Sequence, residues 1–227
     1  MRKIRFAEGE YYHIYNRGVE KRDLFIVHKD YERFLYLLFA CNDAAPLLNS
    51  QFYYRGLASI DNNKRQRDLL TDIFCFCLMP NHFHLLLQER VENGISTFMQ
   101  KLGTAYTMYF NAKRERSGVL FQGTFKAVHI DQESYLRHLI RYIHLNPAEL
   151  REPGWKEKGI RHWETTYEFV RHYAWSSYGD YLGENRFSKI LASKFSSLTD
   201  ISIGQHEIFM KEWLTKDAGN ISGYSID

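Results

Sequence analysis

The hydrophobic pattern changes period several times along the chain, and each change marks an element. Glu10 to Asn16 is a short, aromatic-rich run that predicts a strand ended by Arg17-Gly18. From Asp23 to Asn42 a short connector leads into a helix. Its apolar positions Tyr31, Phe34, Leu35, Leu38 and Phe39 follow the 3.6-residue repeat, and Asp30 is its expected start. Ile73 to Leu78 is an apolar run too short for a typical helix and predicts a buried strand. Pro80-Asn81 breaks it, and His82 to Gln88 predicts a second strand. Asn93 to Ala112 returns to helical spacing through Ile95, Phe98, Met99, Leu102, Tyr106, Tyr109 and Phe110. Strand signals follow at Val119 to Phe121 and Thr124 to Ile130. Asp131 to Asn146 predicts a helix with the stripe Leu136, Leu139, Ile140 and Ile143, an N-cap at Asp131 and a stop at Pro147. Beyond Arg151 the pattern loosens, with two short helical segments expected around Lys189 and Phe209.

Two stretches carry candidate chemistry. Side chains alternate along a strand, so His82 and His84 share one face while Phe83 and Leu85 share the other. Paired imidazoles on a strand suit a metal, although core or hydrogen-bonded histidines give the same pattern. His13, on the first strand, could reach that face or serve as a hydrogen-bonded sheet histidine. Tyr142 and Asn146 are four apart and project from one helix face beside the apolar stripe. They suit either a packing residue and a C-cap, or a nucleophile and a ligand. Two imidazoles and an amide oxygen can hold a divalent ion while leaving positions for a substrate oxygen. A tyrosine one turn away could then attack phosphorus and conserve the bond energy in a phosphotyrosine.

Composition narrows the setting. The chain has 227 residues, enough for one sizeable domain with additions, and 16% aromatic residues, which favour strands and offer surfaces for base stacking. A net charge of +3 and a pI near 8.6 permit a polyanionic partner without demanding one. Three cysteines, Cys41, Cys75 and Cys77, make no disulfide framework and fit a reducing compartment. With no signal-peptide pattern and no apolar run of membrane-spanning length, the expected location is cytoplasmic, with no membrane partner. Phosphate-binding Gly-rich loops and Ser-His-Asp signatures are absent from the sequence. The polar segment Asp61 to Asp68, with Lys64, Arg65 and Arg67, reads as a solvated insertion or a basic loop on a nucleic-acid backbone.

Four runs together, Leu78-Met-Pro-Asn-His-Phe-His-Leu-Leu86, Gly118-Val-Leu-Phe-Gln-Gly-Thr-Phe-Lys126, Tyr135-Leu-Arg-His-Leu-Ile-Arg-Tyr-Ile-His-Leu-Asn-Pro147 and Tyr173-Ala-Trp-Ser-Ser-Tyr178, resemble the single-tyrosine HUH transposases. The branch most similar is the REP-associated tyrosine transposases, of the IS200-like group. The resemblance implies a ferredoxin-like α+β fold, an antiparallel sheet with helices on one face, plus a C-terminal extension. On this division residues 1–181 form the transposase domain, with 42–70 as an insertion, and 182–227 are a helical extension. It implies Mg²⁺- or Mn²⁺-dependent cleavage and joining of single-stranded or hairpin DNA through a 5′-phosphotyrosine. Tyr142 then matches the nucleophile, and His82, His84 and Asn146 match the metal ligands. Arg17, Lys126, Arg137 and Arg141 are candidate DNA-binding cations or solvated surface charges. A metal-dependent nuclease without a covalent intermediate and a catalytically silent DNA-binding regulator are the competing readings. Monomer and homodimer both remain open.

Overall fold

The structure is a computed structural model that describes residues 4–47, 66–199 and 201–216. Four strands, β1 (Tyr11–Arg17), β2 (Thr71–Met79), β3 (His82–Glu89) and β4 (Lys126–Ile130), form one antiparallel sheet in the order β2-β3-β1-β4. α1 (His28–Cys41) connects β1 to β2, and α2 (Gly94–Lys113) connects β3 to β4. Each crossover skips one strand, so two split β-α-β units interlock around the central pair β1 and β3. α3 (Glu133–Leu145) follows β4 and runs into a 3-10 turn at Asn146–Leu150.

The pleat divides the interior in two. Phe83, Leu85 and Leu87 of β3 join Ile14, Phe76 and Leu78 in a core closed by Phe34 and Leu38 of α1 and Phe98, Leu102 and Tyr106 of α2. Cys75, Cys77 and Leu86 turn to the opposite face, where Leu136, Leu139, Ile140 and Ile143 of α3 cover them. An irregularity between Ile73 and Cys75 shifts the β2 register, so Phe74 and Cys75 both serve this second core. The α+β class is as expected. The helices nevertheless divide between the two faces rather than lying on one, because β2 and β3 are apolar on both sides and each side must be covered.

Several boundaries differ from expectation. Asp30 is not the start of α1 but its third residue, and its carboxylate accepts from the amides of Ile26 and Val27 at 3.0 and 3.1 Å. Gln132 rather than Asp131 occupies the cap position of α3. Val119 to Phe121 forms no strand, only a single bridge between Phe121 and Gly18. Around Lys189 the chain makes a turn, whereas Phe209 lies in a helix as expected, His206–Lys216. Lys64 and Arg65 lie outside the described residues. Arg67 bends back onto the end of α1, donating to the carbonyls of Phe39 and Asn42 and stacking 3.8 Å over the Phe39 ring. Among the described residues no helix is long and apolar enough to cross a membrane.

Asp30 also joins α1 to α2. Its side chain is fully buried and takes Lys113 at 2.5 Å, Arg114 at 3.1 Å and the Tyr109 hydroxyl at 2.9 Å. Burial alone would raise its pKa, but Lys113, the two backbone amides and Tyr109 outweigh burial and leave it below the ordinary aspartate value. A lowered folded pKa means stability that is present above the unfolded value, about pH 4, and lost as pH falls through the folded one. Asp30→Asn is expected to cost about 2–3 kcal/mol in urea unfolding at pH 7, the low end for a buried pair because Lys113 and Arg114 keep part of their hydration. The wild-type advantage should shrink below about pH 4; an unchanged difference there would contradict this account.

Candidate metal and nucleophile site

Register brings four ring-bearing side chains to the α3 face of the sheet. Tyr15 stands opposite His84, Arg17 opposite His82, and His13 opposite Leu86. His13 is fully buried, and its Nε2 lies 2.9 Å from His84 Nδ1. When His84 Nδ1–H donates to His13, the lone pair of His84 is left on Nε2. That atom is buried and has no hydrogen-bond partner. Burial first, then the neighbouring His82 and His13 and the charge of Lys156, hold the His84 imidazole well below its ordinary pKa. It is therefore neutral and available as a donor to a cation.

His82 is oriented by its sequence neighbour. Its Nδ1 lies 2.7 Å from Asn81 Oδ1, while Asn81 Nδ2 donates to the Lys21 carbonyl at 3.3 Å. The amide oxygen can only accept, so the proton sits on Nδ1 and the lone pair on Nε2. That lone pair faces Asn146 Oδ1 at 3.5 Å. Asn146 has its own amide nitrogen committed to the Tyr142 carbonyl at 2.9 Å, so it too presents an acceptor. In neutral His82 two lone pairs therefore face each other with no hydrogen between them. Ligands about 2.1 Å from one ion stand about 3.0–3.4 Å apart for right-angle to tetrahedral geometry. The donors His82 Nε2, His84 Nε2 and Asn146 Oδ1 thus suit a divalent cation. Among the described residues no three His, Cys, Asp or Glu side chains converge on a metal site.

Helix α3 is keyed in place by more than its apolar stripe. His144 Nε2 meets Ser177 Oγ at 3.0 Å, and Ser177 Oγ accepts from the Phe76 amide of β2 at 2.9 Å. Asn146 and Tyr142, both buried, are thereby held over the histidines. The Tyr142 ring meets the His84 ring edge to face, with centroids 5.3 Å apart. Its hydroxyl accepts from Lys156 Nζ at 2.9 Å. Tyr106 and Tyr109 lie with α2 behind the opposite face, donating to the Leu24 carbonyl and to Asp30.

Beside the histidines opens a cavity of about 360 Å³ whose lining includes His82, His84, Arg17, Lys21 and Lys126. Arg17 and Lys126 therefore share a cavity with His82 and His84. Arg137 and Arg141 do not line it. Arg137 donates to the Thr199 carbonyl at 2.7 Å, Arg141 pairs with Glu212 at 2.9 Å, and both guanidinium groups lie over Phe209. They fasten the final helix to α3. Lys21, Asn81 and Lys156 escaped the sequence reading. Asn81 could have been found as the residue next to His-x-His, whereas Lys156 and Lys21 carry no local signal.

A family model described as "Transposase IS200 like" matches residues 35–146, a span that holds His82, His84, Tyr142 and Asn146. No curated protein matches the chain. Among solved structures, a REP-associated tyrosine transposase bound to a REP hairpin is similar, with a TM-score of 0.55 and 14% identity, over 89% of this chain and 95% of that one. That likeness is one of fold. The matched span and the shared fold make the chain similar to the IS200-like transposases.

Proposed function

We propose that this protein is a metal-dependent transposase and nickase that cleaves and rejoins single-stranded DNA at hairpin-bearing sites through a 5′-phosphotyrosine on Tyr142. The observation that carries the reading is the approach of His82 Nε2 to Asn146 Oδ1 at 3.5 Å, beside the buried Nε2 of His84 that has no hydrogen-bond partner. Mg²⁺ or Mn²⁺ would be held by these three residues, and when bound it supplies polarisation of the phosphodiester and offsets charge on its oxygens. His13 and Asn81 keep the two imidazoles in the tautomers that face this point. Arg17, Lys21 and Lys126 would draw the DNA phosphates into the cavity. Tyr142 would attack phosphorus, the 3′-oxygen would leave, and the 5′ end would stay on the enzyme for transfer to another 3′-hydroxyl. Hairpin DNA as the partner rests on the solved relative, which is bound to one. The organisation into residues 1–181 and a 182–227 extension belongs to the same proposal.

Labelled single-stranded hairpin DNA from the gene's own flanks, incubated with Mn²⁺ and run on a denaturing gel, should give a protein-linked band. Tyr142→Phe should abolish it. Cleavage with no linked band would establish the plain nuclease instead, and tight binding with no cleavage in any divalent metal would establish the regulator.

The meeting of His82 and Asn146 within one chain supports a site built without a second copy. A mixture of His82→Ala and Tyr142→Phe proteins should therefore stay inactive, and recovered linked product would show that the site is shared between copies. Asn146→Ala should weaken Mn²⁺ binding by roughly 10-fold or more in calorimetry. Wild-type protein should bind Mn²⁺ more tightly with oligonucleotide than without, since an amide is a weak third ligand for a hard ion. Equal affinities would count against a phosphate oxygen completing the site.

A further inference from the structure

Lys156 lies ten residues beyond the family match and belongs to none of the motifs that identify the site. It sits in α4 (Trp155–Lys158), a single turn that α3 and the 3-10 segment lead into. Its Nζ is 2.9 Å from the Tyr142 hydroxyl and 5.0 Å from the centre of the Tyr142 ring. From this geometry we propose that Lys156 is a catalytic residue, which holds the nucleophilic hydroxyl and keeps a positive charge beside its oxygen while the bond to phosphorus forms. The proposal rests on the reading of Tyr142 as nucleophile.

A packing role does not require this lysine. Trp155 is buried, and the Gly154 amide donates to Glu149 Oε1 at 3.0 Å. Gly159, with φ +73°, closes the turn by donating to the Trp155 carbonyl at 2.8 Å. The next residues are fastened by Glu152, whose carboxylate accepts from the amides of Arg161 and His162 at 2.7 and 3.1 Å. The turn is held at both ends by groups other than Lys156, so its ammonium is delivered to a set position. The Lys156 charge is also felt at His84 and at Cys77, which stand opposite each other on β3 and β2. The cation is thus close to the ligand face as well as to the nucleophile.

The step balances without changing Lys156. The phenolic proton of Tyr142 leaves to water, and the Oη electron pair forms the bond to phosphorus. The P–O3′ bond breaks with its pair on O3′, which takes a proton from water. Lys156 keeps its proton throughout and compensates the charge on Oη of the buried Tyr142, where a fixed cation acts more strongly than in bulk solvent. An Arg retains the charge but not the compact shape of the ammonium, and a Met retains the bulk alone.

The test compares wild type, Lys156→Arg and Lys156→Met on one labelled hairpin substrate. Binding is read by fluorescence anisotropy without metal, and the rate of linked-product formation is read at saturating protein. Lys156→Met should bind DNA within about twofold of wild type, melt at the same temperature, and form the linked product roughly 100-fold more slowly. Lys156→Arg should recover at least a tenth of the wild-type rate. A Lys156→Met rate within about threefold of wild type, or a fall in rate matched by a fall in DNA affinity or melting temperature, overturns the proposal, as does an Arg variant no better than Met. Absence of linked product from wild type would sink the Tyr142 reading itself, a result separable from all of these.

Discussion

The structure depends on the strict two-residue alternation of β3 between two faces that helices cover. A strand at the middle of a sheet with helices on both sides has no solvent-facing side to give away. Its polar residues must therefore find partners inside. His84 does so through His13 on the neighbouring strand, and His82 through Asn81 at the turn before it. Each partner takes Nδ1, and Nε2 is left to face Asn146 in His82 and without a hydrogen-bond partner in His84. Burial removes the protonated state of His84, so its imidazole stands beside His82 as a neutral donor.

Helix α3 completes the arrangement because it must cover that same face. Its stripe from Leu136 to Ile143 seats on Cys75, Cys77 and Leu86, and the helical repeat then carries Tyr142 and Asn146 over the histidines. The contact between His144 and Ser177, with Ser177 in turn bonded to β2, fixes how far along the sheet the helix sits. A helix held by apolar contacts alone could slide. The hydrogen-bonded key is directional and helps hold Asn146 at its 3.5 Å approach to His82.

Charge is distributed with a division of labour. Arg17, Lys21 and Lys126 gather at the cavity beside the histidines. Lys113 and Arg114 are used up on buried Asp30 between α1 and α2, and Arg137 and Arg141 on the final helix. Net charge alone therefore says little about where a polyanion would lie. Which cations remain at an opening is decided by which ones the packing consumes.

Much of the fold was legible in the sequence, because periodicity is a local property and the sheet strands and long helices depend on it. Apart from the extra strand expected at Val119 to Phe121, the β-α-β-β-α-β-α order, the shared face of His82 and His84, and the shared face of Tyr142 and Asn146 all follow from spacing within single elements. Boundaries were less legible where capping came from an unexpected position, as with Asp30 acting from the third residue of α1 rather than before it. Covering on both sheet faces was missed because one strand's alternation shows that both sides are apolar or polar in turn, but not what lies over each. The pairing of His13 with His84 needed the register of β1 against β3. The placement of Lys156 on the Tyr142 hydroxyl needed the path of the chain after α3. The role of Arg137 and Arg141 needed the final helix. Sequence alone determined which side chains leave each element together; tertiary structure decided which elements meet, because that is set by long-range burial and hydrogen bonding between residues far apart in the chain.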